Sequence, residues 1–248
     1  MGEVKEPLIS DDEGWEDLSR VHIPVEELSF DIEQVNNFCR TTDKFVLAAA
    51  NPRPFERLQF LRGTENVFID LILRPDGMMS FIKKMHEHNI KVLEKWCQSD
   101  VDGISFMDDW GTQNSMLINP DLWQEIFKPL YKDYIELAHS KNKKAFMHSD
   151  GNILALYPHF IEIGLDALNS QIFCIGIDKL KEFSGKITFW GEIDRQHLLP
   201  NGTLEEVEQA VKYIKEALWE DGGCIAQLEF GLGAKPENVY QAMKSWDK

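Results

Sequence analysis

The residues of this chain that could do chemistry recur at one kind of place, just after a short apolar run. Phe106 and Met107 lead into Asp108, Asp109, Trp110 and Gly111, and Ala145–Met147 leads into His148, Ser149, Asp150 and Gly151. Leu168 is followed by Asn169, Ser170 and Gln171; Trp190 and Gly191 by Glu192 and Asp194; Leu228 by Glu229. His148 and Asp150 stand two residues apart, so at a strand end both side chains face one side and offer an imidazole and a carboxylate, half of a metal site. Glu229 is the candidate third ligand. The ordinary alternatives are a hydrogen-bonded structural His148 and a Glu229 spent on a loop cap or salt bridge. Asp108 and Asp109 read as catalytic carboxylates that bind substrate, or as caps that satisfy loop amides. Glu192 and Asp194 flank Ile193 and put two further carboxylates on one side, although Asp194 serves equally as the cap of the turn at 195–199. Asn169 and Gln171 are substrate-facing amides, and Trp110 and Trp190 could wall an apolar pocket.

The elements that must position these groups follow a β-then-α rhythm from Lys44 onward. Six apolar runs read as strands: 45–50, 103–107, 145–147, 167–168, 187–190 and 224–228. Between and after them, 52–61, 75–98, 120–141, 153–163, 177–183, 204–221 and 236–246 read as helices. Asn119 before Pro120 forms an N-cap and first-turn pair, and Thr203 with Glu206 has capping-box spacing. Each interval leaves room for a crossover helix, which favours parallel strands. An open doubly wound sheet and a closed barrel both fit, and in either the strand carboxyl ends converge on one face. No Gly-x-Gly-x-x-Gly follows the first strand and no Walker-type Gly-Lys-Ser/Thr occurs, which removes the main support for nucleotide binding.

The 248 residues are 43% hydrophobic and carry 26 Lys plus Arg against 42 Asp plus Glu, a formal charge of −16. Such a chain repels a phosphate backbone, so nucleic acid is not an expected partner, whereas a neutral, cationic or metal-bearing ligand is. The four cysteines are scattered outside any Cys-x-x-Cys spacing, no signal-peptide core is present and no apolar run is long enough to cross a membrane, so the expected address is a reducing cytoplasm. Residues 1–40 read as an irregular N-terminal segment with a short helix around Ile32, Val35 and Phe38, and 41–248 as the folded domain. The Trp96, Trp123, Trp246, Phe127, Tyr131 and Tyr134 group has helical spacing and reads as core. His86 and His88 read as solvated.

Five segments carry a resemblance to a known family: Phe106-Met-Asp-Asp-Trp-Gly-Thr-Gln113, Ile118-Asn-Pro-Asp-Leu-Trp123, His148-Ser-Asp-Gly-Asn152, Leu199-Pro-Asn-Gly-Thr203 with Glu205-Glu-Val207, and Pro236-Glu-Asn-Val239. In this order they resemble the uroporphyrinogen decarboxylase superfamily. The resemblance implies an α/β chain of (β/α)8 TIM-barrel type, incomplete here, because six βα units are recognisable and match the last six of eight. It also implies either a porphyrinogen decarboxylase or a zinc-dependent methyltransferase that passes methyl groups to or from a corrinoid-binding protein. The decarboxylases carry Gly-His-Gly in the last loop, where this chain has Glu229, Phe230 and Gly231. The methyltransferases hold zinc through His-x-Cys and a later Cys; His148 matches, Asp150 replaces the first Cys and Glu229 stands for the last. Carboxylates in place of thiolates make a harder site, suited to polarising a bound oxygen, as in O-demethylase-like members. The expected metal site is therefore zinc on His148, Asp150 and Glu229, with Asp108, Asp109 and Glu192 orienting the substrate. Decarboxylation of a porphyrinogen and a truncated, non-catalytic binding barrel are the alternatives, and residues 1–40 or another chain, such as a second copy in a homodimer, are the expected cover for the open sheet edges.

Overall fold

The computed structural model describes residues 4–9, 14–15, 21, 30–220 and 222–247. The acidic stretch at 10–17 lies outside the described residues except for Gly14 and Trp15. The chain is α/β, with six parallel-type strands separated by helices, an incomplete barrel of βα units as the resemblance implies. It forms two compact units, Met1–Asp108 with Ile118–Ala145, and Asp109–Leu117 with Phe146–Lys248.

The first unit holds α1 (Ile32–Arg40), β1 (Leu47–Ala49), α2 (Pro54–Arg62), α3 (Thr64–Leu73), α4 (Asp76–Cys97), β2 (Gly103–Met107), α5 (Pro120–Ile126) and α6 (Lys128–Ser140). β1 and β2 are parallel, with Leu47 opposite Gly103. The amphipathic α4 buries Met78, Phe81, Ile82, Met85 and Leu93, and α6 buries Tyr134, Ile135 and Ala138. The expected helix 120–141 is two helices, because Pro129 lacks the N–H needed to continue α5 and opens α6 instead. Asn119 caps α5 as its position implies, accepting from Asp121 N at 2.8 Å. His86 is not solvated: it bonds Asp133 and Tyr134 of α6. His88 is half-buried as well, and burial pulls its pKa down, with Arg57 and Lys91 adding to the effect.

The second unit holds β3 (Lys144–Ser149) from Phe146 onward, α7 (Tyr157–Glu162), β4 (Ala167–Ser170), α8 (Ile172–Ile175), α9 (Ile177–Leu180), β5 (Thr188–Glu192), α10 (Leu198–Asn201), α11 (Leu204–Leu218), β6 (Cys224–Gln227) and α12 (Pro236–Trp246). β3, β4, β5 and β6 pair in that order, all parallel, with His148 beside Asn169, Asn169 beside Trp190 and Glu192 beside Gln227. Those register pairs put the strand-end residues side by side in one row. α11 opens on the Thr203–Glu206 capping box and buries Val207, Val211, Ile214 and Leu218, a stripe at helical spacing. No helix among the described residues is long and apolar enough to cross a membrane.

Candidate metal centre

The centre grows from a glycine contact. Gly111, four residues past β2, and Gly151, two past β3, lie so close that a Cβ on Gly151 would sit 2.3 Å from Gly111 C, and Gly151 also has φ +79°. Only glycine at both positions lets the two backbones meet. Gly111 N then donates to Asp150 O at 3.1 Å and Asn152 N to Thr112 O at 2.8 Å. This contact carries Asp109 to the end of β3, where its Oδ1 accepts from Asp150 N at 3.0 Å.

His148 faces the same spot. Its Nδ1 lies 2.5 Å from Asn169 Oδ1, while Asn169 Nδ2 donates to Trp190 O at 2.6 Å. With the amide orientation fixed by that second bond, Nδ1 donates to Asn169 Oδ1 and Nε2 is the ring nitrogen turned toward the carboxylates. Nε2 is 3.6 Å from both Asp109 Oδ1 and Asp150 Oδ1. The three ligand atoms lie within 4.8 Å of one another, and Asp150 Oδ1 is buried without a hydrogen-bond partner. Nε2 and two carboxylate oxygens facing each other leave a place for a cation, and a ring proton fixed from behind is the usual support of a ligating histidine. The residues present thus fit a zinc ion.

Arg195 stands on the other side of Asp150. It donates to Asp150 Oδ2 at 2.6 Å and to Glu229, and its Nε lies 3.9 Å from Glu192 Oε1. Glu229, the expected third ligand, is therefore spent on Arg195, and Asp109 takes its place beside His148. Glu192 is buried; burial pushes its carboxyl up to about 7, against the pull of Arg195 and with Asp150 adding to the rise.

The remaining expected residues divide. Asp108 is wholly buried and takes no part: its oxygens accept from Phe55 N and Glu56 N at 2.8 Å and from Tyr131 Oη at 2.7 Å, which caps α2. Asp194 caps the turn after β5, accepting from Gln196 N and His197 N. Gln171 accepts from Gly151 N at 2.9 Å and so steadies the glycine contact. Trp110 is wholly buried, so it offers no surface to an open pocket; Trp190 is half-buried, edge-on to Phe146. Asn169 orients His148. Residue types alone missed Arg195, whose signal was a guanidinium three positions after Glu192 among acidic strand ends. Phe173, Asp194, His197, Leu198, Ala210 and Tyr213 line part of an open groove of about 760 Å³ whose lining includes none of Asp109, His148 and Asp150.

A family model described as uroporphyrinogen decarboxylase (URO-D) matches residues 2–248. No curated protein matches the sequence. Among solved structures, a methyltransferase from Methanosarcina mazei superposes with TM-score 0.67 at 18% identity, over 87% of this chain and 63% of that one. The chain thus spans less than two thirds of that methyltransferase. A dihydropteroate synthase from Coxiella burnetii, solved in complex with pteroic acid, reaches TM-score 0.42 at 13% identity, over 64% of this chain and 58% of that one. A 3-keto-D-glucoside 4-epimerase from E. coli reaches 0.43 at 9%, over 82% and 98%.

Proposed function

The chain belongs to the uroporphyrinogen decarboxylase family, and we propose that within it the protein is a zinc-dependent methyltransferase of O-demethylase type, moving a methyl group between a small methyl-bearing substrate and a corrinoid held by a partner protein. The observation that carries this reading is the convergence of His148 Nε2, Asp109 Oδ1 and Asp150 Oδ1, with the ring proton of His148 engaged by Asn169. The same fold in a protein described as a methyltransferase agrees with it.

The three side chains would hold the metal with a position left open for substrate. Zinc bound there supplies Lewis acidity to a leaving oxygen. The protein's own residues do the rest. Asn169 locks the imidazole, Arg195 fixes the Asp150 carboxylate, and Glu192, with its carboxyl near neutrality, can hold a proton and release it to a departing alkoxide or phenoxide.

The test is metal analysis of purified protein together with methyl transfer to cob(I)alamin, followed by its absorbance. Wild type should retain about one zinc per chain, and His148→Ala should lose the zinc and at least 100-fold in transfer rate while keeping its circular dichroism. Metal-free wild type that transfers methyl at the full rate, or that releases carbon dioxide from a porphyrinogen, overturns the reading.

A further inference from the structure

We propose that Arg195 is a positioning residue that sets how tightly, and through how many ligands, the His148 centre holds its cation; the inference rests on the metal reading above. The guanidinium claims Asp150 Oδ2 at 2.6 Å and also binds Glu229. Two consequences follow from those bonds. Asp150 is left to face His148 through Oδ1 alone, the buried oxygen without a hydrogen-bond partner. Glu229, from the residues after β6, is withheld as a ligand although it sits on the same guanidinium as Asp150.

The arrangement opposes the metal electrostatically as well. Arg195 is a permanent cation joined to one of the two ligand carboxylates, so a dication bound through Asp150 Oδ1 feels its repulsion at short range in a partly buried setting. The guanidinium thereby keeps the centre at three protein ligands with an open position. Without it, both oxygens of Asp150 and the carboxylate of Glu229 become available, which favours a closed, tighter site. The sequence makes this a property of one side chain: Arg195 is the cation that joins Asp150, Glu192 and Glu229, residues from the ends of three different strands.

Titration of metal-stripped protein with Zn²⁺ in competition with a chromophoric chelator, and with Co²⁺ followed by its visible spectrum, tests the idea in wild type, Arg195→Met and the Arg195→Met/Glu229→Gln double variant. Arg195→Met should bind both metals at least about ten-fold tighter, with a changed cobalt spectrum, and the double variant should give back much of the gain. Unchanged or weaker binding by a folded Arg195→Met overturns the inference, and a double variant equal to the single one overturns the part assigned to Glu229. If Arg195→Met does not fold, Arg195→Lys replaces it, since an ammonium cannot span both carboxylates as the planar fork does; it should bind several-fold tighter than wild type, and no gain overturns the inference. Metal binding by Arg195→Met but not by wild type supports the inference while overturning the zinc reading. Equal binding by both does the reverse, and binding by neither overturns both.

Discussion

Glu192 ends β5 with its carboxyl enclosed, and that enclosure has a measurable consequence. Burial, against the pull of Arg195, holds its pKa at about 7 in the folded chain, above the ordinary glutamate value near 4.3 that applies when unfolded. The folded state therefore keeps a proton that the unfolded state has already released, so this group's contribution is fully present below about pH 4 and is lost as pH rises through 7. The difference is worth roughly 3 kcal/mol at pH 8. Glu192→Gln should match wild type in stability near pH 4.5 and exceed it by up to that amount at pH 8, read by urea unfolding; a parallel pH profile for the two proteins would refute the shifted carboxyl. On the proposed mechanism the wild-type transfer rate should fall as pH passes 7, and Glu192→Gln should lack that pH dependence. Residue types pointed to the candidate site but not to its assignments. His148 and Asp150 at i and i+2 were legible because a strand end has period two. The choice between Asp109 and Glu229 was not, since Arg195's bridge to Glu229 and the caps that occupy Asp108 depend on atoms far away in sequence.

At the scale of elements, the loops after β2 and β3 matter more than the strands themselves. Asp109 reaches Asp150 because Gly111 and Gly151 allow backbone contact, and Gly151 adopts φ +79°, which a residue with a Cβ resists. Gly151→Ala should cost about 2–3 kcal/mol in denaturant unfolding and lower zinc retention together with it. Retained zinc at full stability would show that the contact does not assemble the centre. Most of the strands and helices were readable from apolar period and caps, and α12 was readable to both ends. α3 was missed because Val67, Phe68, Ile69, Leu71, Ile72 and Leu73 form nearly continuous apolar sequence without one face, and indeed Ile69, Ile72 and Leu73 stay exposed. The expected helix at 153–163 begins as a 3₁₀ turn at Leu154–Leu156 before Pro158 sets the first turn of α7.

At the scale of the whole molecule, the family was legible because five short segments recur in one order, even though each alone is weak; the charge was legible outright. An excess of 16 negative charges works against any compact state, and part of it gathers around His148 and Arg195, at Asp109, Asp150, Glu192 and Glu229. Exposed ion pairs such as Arg74–Glu125 pull the other way but contribute little each. Self-repulsion should therefore govern the response to salt. Raising NaCl from 10 to 150 mM shortens the screening length from about 30 Å to about 8 Å, so Tm at pH 7.5, measured with a chelator present to remove metal stabilisation, should rise by a few degrees. Near pH 5, close to the sequence pI of about 4.8, the same salt step should change Tm much less, because the net charge being screened is then small. A Tm that falls with salt at pH 7.5 would mean that attractive pairs outweigh the net charge, and the acidic excess would then have to be explained by local binding at the His148 centre alone.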